Sequence, residues 1–161
     1  MIPEEYMQQI NDCDDEISNI LSWTNKNVTD SLVKYLTAYC VVRASGEIEV
    51  VFKRLIFDYL SNAASMDTKN YLSKKLIDSS DNPSTGKIKS ILQDINSTKA
   101  SDFETELGKS HYKEQLNSLV HLRNDVAHGR SITTGLSTIY KYWKSGTEIL
   151  KILSDILDPK G

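Results

Sequence analysis

The sequence predicts an all-α protein, an up-and-down helical bundle with one long central helix and several shorter ones. Only 3 Pro and 7 Gly occur among its 161 residues, whereas a β-sandwich or barrel needs turn residues about every ten positions. Apolar residues recur three and four positions apart along most of the chain, which is the spacing of amphipathic helices. With 39% hydrophobic and 25% charged residues, the composition is that of one globular domain, expected over residues 1–161.

The first helix is expected over residues 3–23, with acidic residues opposite an apolar face. Its apolar positions are Tyr6, Ile10, Cys13, Ile17, Ile20 and Leu21. Residues 25–27 should end this helix, and Thr29 or Asp30 should cap the next one. Residues 1–30 hold seven acids against the single base Lys26. This acidic face is either simply solvated or binds a basic partner such as a protein inhibitor.

The long central helix is expected over residues 32–60, where apolar residues again follow the helical spacing. Ser45 and Gly46 interrupt it, and a glycine inside a helix costs about 1 kcal/mol relative to alanine. We therefore expect a bend or a close helix crossing at this point. Shorter helices should follow over residues 68–77 and 85–95, separated by a polar turn at residues 78–84.

The C-terminal part predicts two further long helices. Residues 96–102 are polar and indicate a break, and residues 103–107 should form one turn. A helix is expected over residues 111–128, with Gly129 placed to cap its C-terminus. The last helix should run over residues 133–157 and end at Asp158-Pro159.

The chain has no apolar run close to the roughly 18 residues that span a bilayer. It also begins with acidic residues where a signal peptide has basic ones. We therefore expect a cytoplasmic protein without a membrane partner. Cys13 and Cys40 stand apart from one another and are expected to be buried free thiols. With 3 His, 2 Cys and no HxxxH or CxxC spacing, neither a metal site nor a cofactor is expected.

The densest polar cluster beside an apolar helix face runs from Arg123 to His128. Asn124 lies four residues and Asp125 three residues before His128, so both are neighbours of His128 on one helix face. Arg123 is turned away from His128 by about 140° on an ideal helix. Either the last turn of the helix is distorted, or a second copy of the helix contributes to the cluster.

These residue types suit cleavage of an RNA phosphodiester without a metal ion. A histidine, with a pKa of about 6.5, can take the proton of the 2′-hydroxyl or protonate the leaving 5′-oxygen. Arg123 can hold the phosphate and stabilise its developing charge. Asn124 would orient the imidazole or bind substrate, and Asp125 would fix the tautomer. The alternative is structural, with Arg123 pairing a carboxylate and His128 binding the last helix carbonyls.

Residues 119–129 resemble the corresponding stretch of the HEPN superfamily. Arg123, Asn124 and His128 match its Arg-Asn-x-x-x-His signature, and Ala127-His128-Gly129 matches its frequent Ala-His-Gly ending. Ser45-Gly46-Glu47-Ile48-Glu49 is similar to the Ser-Gly-x-x-Glu stretch of the RiboL-PSP branch. The two motifs lie on separate predicted helices, so the resemblance extends over most of the chain.

The resemblance implies a HEPN-like bundle that dimerises so that two copies of the motif meet in one cleft. It implies a metal-independent endoribonuclease of the toxin–antitoxin or antiviral-defence type, with RNA as substrate and a protein inhibitor or antitoxin as a further partner. Arg123 and His128 become the catalytic pair, Asn124 a positioning residue, and Glu49 the residue that holds Arg123 from a neighbouring helix. Other members are inactive, so a helical interaction or regulatory module and a small-nucleotide-binding domain stay open as alternatives.

The chain has few basic residues available for binding RNA. From residue 31 onward the chain holds 18 bases against 15 acids, which suits a short RNA segment in one groove rather than a long duplex. Arg130, Lys141 and Lys144 are the nearest bases to the motif in sequence, and Arg130 is expected to support substrate binding.

The remaining histidines and aromatic residues are weaker candidates for a site. His111 is expected at a helix start and His121 at the surface, because neither has an arginine or an acid arranged around it. Tyr140, Tyr142 and Trp143 could stack on a base, but aromatic residues at helical spacing are expected in the core.

Overall fold

The computed structural model describes residues 1–158, and within them it contains seven α-helices and no β-strand. The all-α prediction is therefore confirmed. The helices are α1 (Glu4–Lys26), α2 (Val33–Ser61), α3 (Met66–Leu72), α4 (Thr85–Ile95), α5 (Ser97–Leu107), α6 (Tyr112–Ala127) and α7 (Leu136–Leu157), with a π-helical segment at Ser73–Ile77 directly after α3.

Helix α2 is the central element and packs against α1, α6 and α7, while α6 and α7 pack against each other. The side chains at these contacts form one hydrophobic cluster, because each helix turns its apolar stripe inward. Phe52, Leu119, Trp143 and Ile149 are among its fully buried members. The cluster holds α6, which carries the polar motif, against α2 and α7.

The close helix crossing expected at Gly46 lies instead at Gly146. Helix α2 runs without interruption through Ser45 and Gly46, and a Cβ atom added at Gly46 would meet no atom within 4 Å. A Cβ atom at Gly146 would lie 2.2 Å from Ile48 Cδ1. The absence of a side chain at Gly146 therefore lets α7 approach α2 closely.

Two acids of α1 bind within the chain rather than facing solvent. Asp14 accepts hydrogen bonds from Trp143 Nε1 at 2.8 Å, Lys144 Nζ at 3.1 Å and the Tyr140 hydroxyl at 3.3 Å. Glu16 binds Arg43 and the Tyr39 hydroxyl on α2. The other five acids of this segment are exposed, namely Glu4, Glu5, Asp12, Asp15 and Asp30.

The predicted break over residues 96–102 is wrong. The Asn96 side chain accepts hydrogen bonds from the Thr98 and Lys99 amides at 2.9 and 3.4 Å, so it caps α5 instead of interrupting a helix. Asparagine is common both in turns and at helix starts, which makes the sequence ambiguous here. Helix α7 begins at Leu136, three residues later than expected, and the Pro159 of its predicted end lies outside the described residues.

Cys13 and Cys40 are free and fully buried, as expected. Burial raises the pKa of the Cys13 thiol to about 12 and that of the Cys40 thiol to about 11, which leaves both thiols un-ionised at neutral pH. No helix in residues 1–158 combines the length and apolar character needed to cross a membrane. In the same stretch, no three His, Cys, Asp or Glu side chains converge as a set that could hold a metal ion.

Candidate functional site

Helix α6 ends in a Schellman motif, which places His128 outside the regular helix. The Gly129 amide bonds to the Val126 carbonyl at 3.0 Å and the Arg130 amide bonds to the Asp125 carbonyl at 2.8 Å. Gly129 has a φ of +70°, a conformation that glycine adopts at no steric cost. His128 is the C-cap residue, with φ −91° and ψ 11°. The cap predicted at Gly129 is confirmed, and the helix stays regular up to Ala127, so only His128 itself leaves helical geometry.

The imidazole of His128 is exposed and binds no other side chain or carbonyl in the described part of the chain. The amides of Gly129 and Arg130 bond to the helix-end carbonyls that the structural alternative assigned to the histidine. That alternative is therefore wrong for His128. An imidazole with both nitrogens open to solvent can take up or release a proton at a bound substrate.

Arg123 is half-buried, and its Nη1 donates a hydrogen bond to Asn82 Oδ1 at 3.0 Å. The partner is a neutral amide and not a carboxylate, so the charge of Arg123 is not neutralised by this contact. Within residues 1–158 its remaining N–H groups have no partner, so they are left for another acceptor. The arginine is thus oriented by the protein while keeping the charge and donors that a phosphate would use.

Glu49 does not hold Arg123, and this corrects the role that the resemblance implied. Its carboxylate accepts hydrogen bonds from Lys53 Nζ at 2.6 Å and from the Asp81 amide at 3.0 Å. Asp81 precedes Asn82 in the chain. Glu49 therefore acts on Arg123 only through the loop that presents Asn82.

This loop, residues 78–84, is fixed to three helices. The buried Lys53 of α2 also donates to the Ser79 carbonyl. At the far end of the loop, the amide and hydroxyl of Thr85 both donate to Asn117 Oδ1 on α6, at 3.1 and 3.2 Å. The loop that orients Arg123 is therefore held on both sides, which limits the motion of the guanidinium.

An ion pair between the loop and α4 adds to this attachment. Asp81 Oδ1 lies 3.0 Å from Lys87 Nζ at the start of α4. Partial burial would by itself raise the pKa of the Asp81 carboxyl. The Lys87 ammonium and a hydrogen bond from Ser79 outweigh it and hold that pKa below its usual value.

Asp125 does not contact His128, contrary to the role expected for it. Its Oδ1 accepts a hydrogen bond from Arg130 Nη1 at 3.0 Å, and its Oδ2 lies 3.4 Å from His121 Nε2. We expected no acid beside His121 from the sequence, and the structure places Asp125 there. The spacing of four residues between the two on one helix was the available signal.

The other residues predicted for the site are Asn124 and two of the nearby bases, and none of them forms a hydrogen bond or ion pair with the side chain of Arg123 or His128 in residues 1–158. Asn124 is half-buried, its carbonyl accepts the His128 amide at 3.0 Å, and its side chain binds nothing else within residues 1–158. Arg130 is exposed and engaged with Asp125. Lys144 is bound to Asp14 on α1. Sequence reasoning missed Asn82, because Asp81-Asn82-Pro83-Ser84 indicated only a turn.

The fold and this site define an all-helical domain in which the helix before the last one ends on an exposed histidine, five residues after a fixed arginine. The sequence matches the RiboL-PSP-HEPN family over residues 4–159, and the protein belongs to that family. Neither a curated protein nor a solved structure matches the chain significantly.

Proposed function

We propose that the protein is an endoribonuclease that cleaves RNA without a metal ion, with Arg123 and His128 as the catalytic residues. The observation that carries the proposal is the contrast between these two side chains. Arg123 is held in place by the neutral Asn82, while the His128 imidazole at the end of the same helix is exposed and binds no other side chain in residues 1–158. One residue is a fixed cation for the phosphate, and the other is an open acid or base.

The reaction needs one proton removed and one proton supplied. A base takes the proton of the 2′-hydroxyl, and the 2′-oxygen forms a bond to phosphorus. The bond from phosphorus to the 5′-oxygen then breaks, and an acid protonates this leaving oxygen. The products are a 2′,3′-cyclic phosphate and a 5′-hydroxyl. Arg123 stabilises the charge that develops on the phosphate oxygens.

A homodimer would supply the second proton-transfer group. Each chain contributes one His128, whereas the reaction uses both a base and an acid. Two chains that meet at the ends of α6 would bring two such histidines and two Arg123 side chains to one RNA segment. The working unit in this proposal is therefore a dimer with a composite site.

We also propose that the enzyme acts in the cytoplasm as a toxin or antiviral-defence nuclease. Five exposed acids lie on or beside α1, namely Glu4, Glu5, Asp12, Asp15 and Asp30. A surface of this charge would attract a basic partner, and a protein inhibitor or antitoxin is the partner proposed.

The test is degradation of single-stranded RNA in EDTA by purified protein. His128→Ala and Arg123→Ala should each lower the rate about a hundredfold or more. His128→Ala should leave the thermal midpoint unchanged, because the ring binds nothing else in residues 1–158. His111→Ala, an exposed histidine at the other end of α6, is the matched control and should retain full activity.

An inert wild-type protein, or equal losses in His111→Ala and His128→Ala, would contradict the nuclease proposal. Calorimetry with mononucleotides then separates the alternatives, because a small-nucleotide-binding domain binds them and an interaction module does not. Light scattering tests the composite site. A protein that is fully active as a strict monomer would contradict it.

A further inference from the structure

Helices α6 and α7 and the segment between them line an open surface cavity of about 440 Å³. Its polar lining comes from Glu114, Asn117, Ser118, His121, Thr134 and Tyr142. We infer that this cavity binds a nucleobase that carries an exocyclic amino group. The nucleobase belongs to the RNA strand held at His128. The inference rests on the proposed function for its RNA ligand, and it assigns a binding role to residues outside the motif.

Helical spacing places His121, which lines the cavity, on the same side of α6 as the position of the proposed catalytic histidine. His121 precedes His128 by seven residues, which on a helix is almost two full turns and about 10 Å along the axis. His121 Nε2 lies 3.4 Å from Asp125 Oδ2, and Asp125 is itself bound by Arg130. A strand whose phosphate lies at the end of α6 would therefore pass the mouth of the cavity, with His121 held at its rim.

Tyr142 supplies an aromatic surface for a base. It is half-buried, and its hydroxyl has no partner in residues 1–158. The neighbouring Trp143 and Tyr140 differ, because both direct their polar groups to Asp14. Stacking of unpaired bases on aromatic side chains is the usual way in which proteins hold single-stranded RNA.

The polar groups of the cavity match a base edge better than a phosphate. Asn117 Oδ1 is occupied by both hydrogen bonds from Thr85, which leaves the amide NH₂ as a donor. The Ser118 hydroxyl donates to the Glu114 carbonyl, so its oxygen is left as an acceptor. The Glu114 carboxylate is exposed and without a partner in the described chain. A carboxylate repels phosphate but accepts a hydrogen bond from an exocyclic amino group such as that of cytosine.

The experiment measures RNA binding in full-length His128→Ala protein, which should not cleave its ligand. Short single-stranded cytidine and uridine oligonucleotides of equal length are titrated by calorimetry, because the two bases differ in the amino group at position 4. Cytidine RNA should bind more tightly than uridine RNA. Adding Tyr142→Leu or His121→Ala should weaken cytidine binding about tenfold, since stacking on an aromatic contributes about 1–3 kcal/mol per base.

Two variants serve as controls. Tyr142→Phe keeps the ring and should bind cytidine RNA like the parent. Tyr71→Leu removes an exposed tyrosine of α3 that does not line the cavity, and it should also leave binding unchanged.

Equal binding of cytidine and uridine RNA, or unchanged binding in both Tyr142→Leu and His121→Ala, would overturn the inference. These results are distinguishable from failure of the nuclease proposal. If the wild type does not cleave RNA yet the Tyr142 and His121 variants lose binding, the cavity is supported and cleavage is not. If the wild type cleaves and the two variants keep its KM, cleavage is supported and the cavity is not.

Discussion

Asn82 lies 41 positions before Arg123 in the chain, yet it is the residue that orients the guanidinium. Because the amide is neutral, it restricts the side chain without cancelling its charge. An acid at this position would restrict Arg123 equally well but would compete with a phosphate for the same donors. The choice of asparagine is thus consistent with an arginine that has to bind an anion.

Replacing Asn82 should therefore lower RNA cleavage in two different ways. Asn82→Ala frees Arg123, and we expect a loss of about tenfold or more, because a hydrogen bond to a charged group contributes roughly 1.5–3 kcal/mol. Asn82→Asp should cost more activity than Asn82→Ala, since the carboxylate would pair with Arg123. Rates with single-stranded RNA in EDTA measure both effects. Asn19→Ala, an exposed asparagine of α1, is the control, and a smaller loss in Asn82→Asp than in Asn82→Ala would contradict this explanation.

The Asp81–Lys87 ion pair makes the stability of the protein depend on pH. The folded-state pKa of Asp81 is lowered, so its contribution is fully present above the unfolded value of about 4 and is lost as pH falls through the folded pKa. We expect Asp81→Asn to lower the urea midpoint at pH 7. The difference from wild type should shrink below about pH 4. A difference that is constant from pH 7 to pH 3 would show that the charge of Asp81 is not responsible.

At the scale of single residues, the sequence could predict the motif residues but not the side chains that bind them. Arg123, Asn124 and His128 follow a fixed spacing on one helix. The contact of Arg123 with Asn82 depends on the path of a loop that the local sequence does not specify. The assignment of Asp125 to His128 failed because two histidines lie within helical reach of Asp125, one on each side, and the cap turns the chain away at His128.

At the scale of helices, the end of α6 is the feature on which the site depends. Gly129 needs a left-handed backbone, whereas Gly135, at the start of α7, has a φ of −70° that any residue can adopt. The two glycines flank the same segment and neither has an atom within 4 Å of an added Cβ. They therefore allow backbone strain to be tested separately from crowding.

Gly129→Ala should destabilise the protein by about 1 kcal/mol or more, because an L-residue in the left-handed region carries a cost of that size. It should also lower RNA cleavage, since the cap that places His128 would be strained. Gly135→Ala should leave stability unchanged or raise it slightly. Thermal unfolding and RNA cleavage rates are measured for both variants. Equal effects of the two substitutions would contradict the importance of the cap.

Most helices could be predicted from the spacing of apolar residues, because that spacing reflects burial against neighbours. The exceptions have local causes. Asn96 can either break or cap a helix, and only the bonds to the following amides decide between them. Gly46 and Gly146 look alike in sequence, but only Gly146 faces another helix, and the difference depends on how α2 and α7 are placed.

For the molecule as a whole, Asp14 joins the first helix to the last. Its carboxylate accepts hydrogen bonds from three side chains of α7. Asp14→Ala would leave the indole N–H of the fully buried Trp143 without its acceptor, and an unsatisfied buried donor costs about 1–3 kcal/mol. We expect a clear fall in the thermal midpoint. Asp15→Ala, at the exposed neighbouring position, should have almost no effect, and similar losses in both variants would contradict the assignment.

The same contact bears on the order in which the protein folds during synthesis. Asp14 and Trp143 are 129 positions apart, so at about 5–20 residues per second the ribosome needs on the order of ten seconds to deliver the second partner after the first. Helix α6 likewise cannot pack against α7 until α7 has emerged. The side chains that hold Arg123 and the cap that places His128 all precede α7 in the chain, so they are synthesised first, whereas the buried face of α6 is covered only when α7 docks.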